Sequence, residues 1–290
     1  MFLLLLQVAG ASVLVRIKDF TVLYKARRQF NPLGFLGINP GSSDSDDMMV
    51  GLDRVSASFH GFTSLVGCPG SGKSTLAKAL HRRCSEIDGS LQIVDGSKQL
   101  FADEIDSHDT AYINEFYYDT YSPSKSVEEI CLPLITKTVR GRKMYQLCVQ
   151  VLDIPQEDKI SSLMESQRKC FELMLALLRV ESESDRENST DERSDEGESI
   201  KDRGILLLLD EYFDKDTPSV VRKVFTSLRK LRQALEADSE GLLLFQLVIV
   251  SHCQVVAEST DWVVAIHKGS IFHEQEPSLL RLPSQFEWRQ

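Results

Sequence analysis

The most informative stretch of this chain is nine residues long and reads Gly67-Cys68-Pro69-Gly70-Ser71-Gly72-Lys73-Ser74-Thr75. Positions 67–74 match the pattern G-x-x-x-x-G-K-[ST] in full, with a strand pattern before them at 62–66 and a helical pattern after them at 76–84. Glycines let backbone amides approach an anion closely, and a helix N-terminus carries partial positive charge. The stretch therefore predicts a phosphate-binding loop rather than a chance glycine-rich turn.

Two side chains of this loop have specific expected roles. Lys73 is expected to reach the β- and γ-phosphates of a nucleoside triphosphate, and the Ser74 hydroxyl is expected to bind Mg²⁺. All nine quoted residues, Gly67 to Thr75, are candidate nucleotide-binding residues.

Two acids follow a second apolar run. Residues 205–209 read as a buried parallel strand, and Asp210 and Glu211 come directly after it. The carboxyl end of such a strand lies at the sheet edge where phosphates bind, so Asp210 is a candidate Mg²⁺ ligand. Glu211 is then a candidate catalytic base that polarises water for attack on the γ-phosphate. The alternative is a strand that ends in two exposed acids.

A histidine ends the next apolar strand pattern. His252 follows Val248-Ile249-Val250-Ser251 and is expected at the same sheet edge. There it can donate to the γ-phosphate or hold the attacking water, so it is a candidate catalytic residue with Glu211 and Lys73. Taken alone, such a histidine is more often structural.

Strand and helix patterns alternate along the rest of the chain, which predicts an α/β fold. Further strand patterns occupy 13–24, 91–94, 111–113 and 242–250, helical patterns occupy 126–179 and 219–235, and 31–47 reads as a loop.

Composition indicates a protein with a substantial core. The 290 residues are 42% hydrophobic and 26% charged, with a net charge of -10. That balance argues against a general nucleic-acid binder, and no nucleic-acid partner is expected. Residues 181–203 alone hold ten acidic and four basic side chains. With almost no apolar residues, this segment is predicted to be a disordered surface insertion; an ordered acidic docking site is the alternative.

The cysteines and the N-terminus suggest no further chemistry. Six cysteines occur without metal-binding spacing and are predicted to be free thiols: Cys68, Cys84, Cys131, Cys148, Cys170 and Cys253. The apolar stretch 1–15 lacks a basic start and runs into a strand pattern, so we interpret it as an irregular start before a first strand rather than a signal peptide. No run of 18 apolar residues predicts a membrane span.

The phosphate loop, the two acids and the histidine, in this order, resemble the nucleotide-binding domain of ABC (ATP-binding cassette) transporters over residues 13–274. The resemblance implies a P-loop NTPase core of mainly parallel sheet at 13–113 and 205–274, with an antiparallel β part near the N-terminus. It also implies a helical subdomain at 114–180, followed by the acidic insertion at 181–204. Tyr24 matches the aromatic residue that stacks on adenine in that family, and Glu115 stands where the family has a Gln that contacts Mg²⁺.

The signature motif departs from the family pattern L-S-G-G-Q. Residues 163–170 read Leu-Met-Glu-Ser-Gln-Arg-Lys-Cys, so Met164 replaces the serine and Glu165 replaces the first glycine. In the family these residues face the γ-phosphate bound by the opposite subunit. Two like charges about 4 Å apart repel by roughly 4 kcal/mol at an effective dielectric near 20, so Glu165 is expected to spoil that contact. Residues 214–217 also differ from the family's S-A-L-D.

The resemblance implies an ATPase subunit at the cytoplasmic face of a membrane, with ATP and Mg²⁺ as its cofactors. Its expected partners are a second ATP-binding cassette and a transmembrane domain on a separate chain or on a missing continuation. Two alternatives remain open: an ATP-dependent regulatory binding module with little turnover, and a soluble ABC-type ATPase that does not transport.

Overall fold

The computed structural model describes most of the chain. The described residues are 14–25, 48–81, 86–95, 98–100, 110–114, 122–136, 139–188, 204–237 and 244–279.

A six-stranded sheet forms the centre of the molecule. Its strands are β3 (Phe62–Val66), β6 (Thr110–Asn114), β7 (Gly204–Asp210), β8 (Leu244–Val250), β9 (Trp262–His267) and β10 (Ser270–Gln275). They lie in the order β10-β9-β3-β8-β7-β6. Five of them run parallel, and β10 pairs antiparallel with β9. The predicted α/β fold with a mainly parallel sheet is confirmed.

A second, antiparallel sheet covers one face of the first. It contains β1 (Leu14–Lys25), β2 (Met48–His60), β4 (Glu86–Asp95) and β5 (Lys98–Leu100) in the order β2-β1-β4-β5. The predicted antiparallel part near the N-terminus is therefore confirmed. The sequence patterns did not predict β2, because its buried residues Leu52 and Val55 are three apart instead of two. Arg54 between them has a φ of 47°, which breaks the alternation.

Six helices complete the described part of the fold. They are α1 (Lys73–Leu80), α2 (Val127–Ile135), α3 (Val139–Leu152), α4 (Glu165–Asn188), α5 (Pro218–Glu236) and α6 (Gln254–Ser259), with short 3₁₀ turns at Ile160–Ser162 and Pro277–Leu279. Helix α2 begins with a capping box, in which the Ser126 side chain accepts from the Glu129 N–H and Glu129 accepts from the Ser126 N–H. The helical pattern predicted over 126–179 is thus present as α2, α3 and most of α4.

The central sheet separates two apolar cores. Along β7, Ile205, Leu207 and Leu209 face a core shared with α3, α4 and α5, whereas Leu206 and Leu208 face α1 and the antiparallel sheet. Since successive side chains of a strand point to opposite faces, an unbroken apolar run is what a strand between two cores requires. This burial fixes the position of the residues that follow β7.

Helix α4 extends into the segment that the sequence predicted to be disordered. Residues 181–188 are helical, with Glu181 and Ser182 buried and a Glu181 carboxylate oxygen 3.5 Å from Nε of Arg140. The prediction failed for these residues because a charged side chain can be buried against a neighbouring helix when it is paired, as Glu181 is with Arg140. Residues 189–203 and 1–13 lie outside the described residues.

Neither a disulfide nor a membrane-spanning helix occurs among the described residues. Among the described residues, Cys68, Cys131, Cys148, Cys170 and Cys253 are thiols that form no disulfide, and Cys84 is not described. Within the described ranges, no helix combines the length and the apolar character needed to cross a membrane.

Candidate functional site

The loop between β3 and α1 has the backbone that its glycines predict. Gly70 and Gly72 adopt positive φ angles of 75° and 107°, and α1 begins at Lys73 immediately after Gly72. Left-handed backbone of this kind favours glycine. Pro69 and Gly70 are exposed at the tip of the loop, while Cys68, Ser74 and Thr75 are half-buried.

Atoms of β9 and β2 lie too close to two of the loop glycines for larger residues. A Cβ atom on Gly67 would lie 2.3 Å from the carbonyl oxygen of Ile266. A Cβ atom on Gly72 would lie 2.9 Å from Cδ2 of Leu52. The N–H of Gly269 donates to the carbonyl of Ser71 at 2.8 Å. The turn between β9 and β10 therefore holds the loop in place from one side.

Lys73 is folded back onto the loop. Its Nζ atom donates to the carbonyls of Gly67 at 2.9 Å and Cys68 at 3.0 Å, and the residue is only 4% exposed. Burial lowers the pKa of Lys73, while the nearby Glu211 opposes that shift. The ammonium group of Lys73 therefore lies inside the loop, next to its backbone carbonyls.

The hydroxyl of Ser71 supports an anion site in this loop. Its Oγ atom is buried and has no hydrogen-bond partner in the structure. A buried hydroxyl without a partner is costly, and a phosphate oxygen would supply the missing acceptor. The loop residues present thus fit a bound phosphate group.

Ser74 and Asp210, 136 positions apart in the chain, meet at the carboxyl edge of the sheet. The Ser74 hydroxyl donates to Oδ1 of Asp210 at 2.8 Å, and the Tyr112 hydroxyl donates to Oδ2 at 2.5 Å. Hydroxyl and carboxylate oxygens are the ligands that Mg²⁺ prefers, so the pair fits that ion. Tyr112 was not among the predicted site residues, because a tyrosine inside a short strand carries no motif.

Glu211 and His252 also lie at this edge. Oε1 of Glu211 is 3.5 Å from Nε2 of His252, which is buried, whereas the Glu211 side chain is 38% exposed. Glu211 has a φ of 54°, and its N–H donates to the carbonyl of Val250 at 2.9 Å. This backbone conformation is uncommon for a residue other than glycine, and the Glu211 side chain stays partly exposed next to His252.

Asp214 joins this group, although the sequence did not predict it as a site residue. Its Oδ1 accepts from the Ser251 hydroxyl at 2.6 Å and from the His252 N–H at 3.3 Å. Glu211, Asp214 and His252 each offer one possible metal ligand atom, all within 4.8 Å of one another. An acid three residues after Glu211 was the only sequence signal, and it is a weak one.

Two predicted nucleotide contacts are not tested by the structure. Tyr24 lies in β1, where its backbone pairs with Met49, but its side chain is not among those described. Glu115 follows the end of β6 and lies outside the described residues.

The altered signature lies at the start of α4. Met164 is 54% exposed and Glu165 is the first helical residue, also exposed. The N–H of Met164 donates to Oε1 of Gln167 at 3.1 Å, and Nε2 of Gln167 donates to the carbonyl of Asp153 at 3.1 Å. Both substituted side chains thus lie on the surface at a helix N-terminus.

No protein-family model matches the chain, and no curated protein matches its sequence. Solved structures match its fold. One is the ATP-binding cassette MJ0796 in a dimeric post-hydrolysis state bound to ADP and Pi. It is 18% identical with a TM-score of 0.54, and the match covers 91% of this chain and 98% of that one. Another is cbiO1 from Clostridium perfringens, part of the ABC transporter complex cbiONQ. It is 15% identical with a TM-score of 0.59, and the match covers 92% of this chain and 90% of that one.

A third similar structure is the ADP conformation of MJ1267, an ATP-binding cassette of an ABC transporter. It is 15% identical with a TM-score of 0.55 and covers 91% of both chains. At these identities the likeness concerns the fold. The chain therefore has the fold of the ATP-binding cassettes of ABC transporters, and the predicted resemblance is confirmed at that level.

Proposed function

We propose that this chain binds Mg-ATP and hydrolyses it as one cassette of an ABC-type pair. The contact between Ser74 and Asp210 carries the proposal, because it joins the phosphate loop to the acid that ends β7. A phosphate loop without a carboxylate at its edge would bind an anion, but it would lack the second ligand for the accompanying cation.

The loop supplies the phosphate contacts. Lys73, the Ser71 hydroxyl and the N–H groups at the start of α1 bind the phosphate oxygens, and Ser74 and Asp210 hold Mg²⁺. Bound Mg²⁺ neutralises charge on the phosphates during transfer. Tyr24 for adenine and Glu115 for Mg²⁺ remain candidates from the family resemblance.

Glu211 and His252 supply the hydrolytic step. Glu211 is placed next to the phosphate loop and is open to water, so it can orient and polarise the attacking molecule. His252 is 3.5 Å from that carboxylate and can donate to the γ-phosphate. Asp214 holds the backbone N–H of His252, which keeps the histidine at the sheet edge.

A partner cassette is required to complete the site. In the family, the signature at the start of α4 contacts a nucleotide bound by the opposite subunit, and here that position presents Met164 and Glu165. We therefore expect efficient hydrolysis opposite a cassette with an intact signature, and slow hydrolysis by this chain alone. A transmembrane domain, on another polypeptide or on a continuation of this chain, would link the pair to transport at the cytoplasmic face of a membrane.

One observation favours a second function. Because Met164 and Glu165 are exposed at the helix N-terminus, two copies of this chain would each bring a negative charge towards the other's phosphate. Such a cassette could bind ATP and clamp a partner with little turnover, as a regulatory binding module.

Calorimetry with Mg-ATP and a phosphate-release assay test the proposal. The wild type should bind Mg-ATP, and Lys73→Ala should lose roughly tenfold or more in affinity because a charge-assisted contact to phosphate is removed. Glu211→Gln should keep binding and lose phosphate release. Glu258→Gln, an exposed carboxylate on α6, is the matched control and should behave as wild type.

The outcomes separate the two functions. If the wild type takes up no Mg-ATP, both are wrong. Unchanged phosphate release in Glu211→Gln, with binding retained, would leave the regulatory module as the better description.

A further inference from the structure

We infer that Tyr112 is a positioning residue, which orients the Asp210 carboxylate towards Mg²⁺. This inference rests on the proposed function, and it concerns a residue that the phosphate-loop pattern does not contain. Each oxygen of Asp210 has its own hydroxyl donor: Ser74 donates to Oδ1 at 2.8 Å, and Tyr112 donates to Oδ2 at 2.5 Å. A carboxylate held at both oxygens cannot rotate about its terminal bond without losing a hydrogen bond.

The ring of Tyr112 is itself held in place. It is stacked on His81, with ring centroids 5.7 Å apart and an interplanar angle of 17°. Nδ1 of His81 lies 2.7 Å from the Thr110 hydroxyl. Thr110 and Tyr112 both belong to β6, and Tyr112 pairs with Leu208 across the β6–β7 ladder. The hydroxyl therefore has a fixed position relative to the end of β7.

The position of β6 in the sheet makes this contact possible. Asp210 ends β7, and β6 is its neighbour on the side away from β8. Ser74 approaches Asp210 from α1, so the carboxylate is held between a helix residue and a strand residue. Partners that orient metal ligands in this way commonly change metal affinity by roughly 10- to 100-fold when they are removed.

Loss of the Tyr112 hydroxyl should affect the cation more than the nucleotide. The Tyr112 hydroxyl donates to Asp210, the proposed Mg²⁺ ligand. Lys73, which is proposed to bind phosphate, instead donates to the loop carbonyls of Gly67 and Cys68. The variant Tyr112→Phe keeps the ring and its stack on His81 and removes the hydroxyl alone. The expected defect is therefore specific to the divalent ion.

The matched control is Tyr145→Phe in α3. Tyr145 is buried and its hydroxyl has no hydrogen-bond partner in the structure, so its removal should change neither ligand. Mn²⁺ titrations with ATP equimolar to the protein, so that excess nucleotide does not sequester the ion, measure affinity for the ion. Electron paramagnetic resonance follows the bound Mn²⁺ by a signal that does not depend on phosphate release. ATP affinity in EDTA is measured separately by calorimetry.

We expect Mn²⁺ affinity to fall about tenfold or more in Tyr112→Phe, while ATP affinity in EDTA stays within about twofold of wild type. In an Asp210→Ala background, adding Tyr112→Phe should cause no further loss, since the carboxylate that it orients is gone. Equal Mn²⁺ affinity in Tyr112→Phe and wild type would overturn the inference. So would a parallel loss of ATP affinity in EDTA, or an additive loss in the double variant. Failure of the wild type to bind ATP or Mn²⁺ at all would instead refute the proposed function.

Discussion

Replacing Glu172 by glutamine should change how the stability of this protein depends on pH. Glu172 lies in α4, is 1% exposed, and accepts a hydrogen bond from the Tyr212 hydroxyl. Burial raises the pKa of Glu172 to about 7 from its ordinary 4.5, although the Tyr212 hydrogen bond and the charges of Lys169 and Arg168 oppose the shift. Asp216 adds to the increase.

The direction of the effect follows from proton binding. Between pH 4.5 and about 7, the folded protein keeps a proton on Glu172 that the unfolded chain has lost. Stability therefore falls as pH rises through this interval. The interval spans about 2.5 pH units at about 1.4 kcal/mol each, so the full effect is on the order of 3 kcal/mol. Glutamine cannot ionise, and this contribution disappears in the variant.

Urea unfolding at a series of pH values from about 5 to about 8 measures the effect. The free energy of unfolding of the wild type, minus that of Glu172→Gln, should decrease by about 2–3 kcal/mol as pH rises. Any loss of hydrogen bonding to Tyr212 in the variant shifts the difference by a constant and leaves its slope unchanged. Glu157→Gln, at an exposed position, is the matched control for the change from glutamate to glutamine.

A difference that stays constant within about 0.5 kcal/mol over this range would refute the reasoning, as would a difference that increases with pH. Either result would mean that Glu172 is ionised in the folded protein below neutral pH. The hydrogen bond from Tyr212 and the charges of Lys169 and Arg168 would then outweigh the effect of burial on the pKa of Glu172.

Two further predictions concern the loop and the helix start. Gly67→Ala should lose nucleotide binding and about 2 kcal/mol or more of stability in urea unfolding, because its Cβ would lie 2.3 Å from the Ile266 carbonyl oxygen. A Cβ on Gly70 would meet nothing within 4 Å, so Gly70→Ala should cost only the roughly 1–2 kcal/mol of a left-handed backbone. Similar losses in both variants would contradict this. The double variant Met164→Ser, Glu165→Gly should raise phosphate release by the purified chain about tenfold or more, because under the proposed function it removes a charge that would repel a partner's phosphate. An unchanged rate would count against the proposed role of this surface.

The sequence was sufficient to predict the centre of the site. Lys73, Ser74 and Asp210 were predicted to lie together, and they do, because parallel strands deliver the residues that follow them to one edge of the sheet. His252 and Glu211 meet for the same reason. These residues belong to the glycine motif or directly follow apolar runs, so local sequence is enough to locate them.

The contacts that support the site were not predictable in the same way. Tyr112 reaches Asp210 only because β6 and β7 are neighbours, and strand order is a property of the whole fold. Asp214 reaches Ser251 because a turn that begins at Glu211, with its positive φ, reverses the chain. Strand β2 escaped prediction because its irregular register breaks the alternation of apolar residues. Each miss depends on geometry that no local pattern encodes.

Glu165, in the altered signature, would have opposite effects on the helix and on a partner's nucleotide under the proposed function. Glu165 begins α4, where a negative charge favours the helix dipole by about 0.3–1 kcal/mol at an exposed site. Under the proposed function, the same charge would repel a partner's γ-phosphate by roughly 4 kcal/mol at about 4 Å and an effective dielectric near 20. Met164 is exposed and its N–H is already capped by Gln167, so its side chain is not needed for folding. Neither exposed side chain is part of a buried contact of the fold. Under the proposed function, the two substitutions would therefore remove one half of a shared site while the buried contacts of the other half are retained.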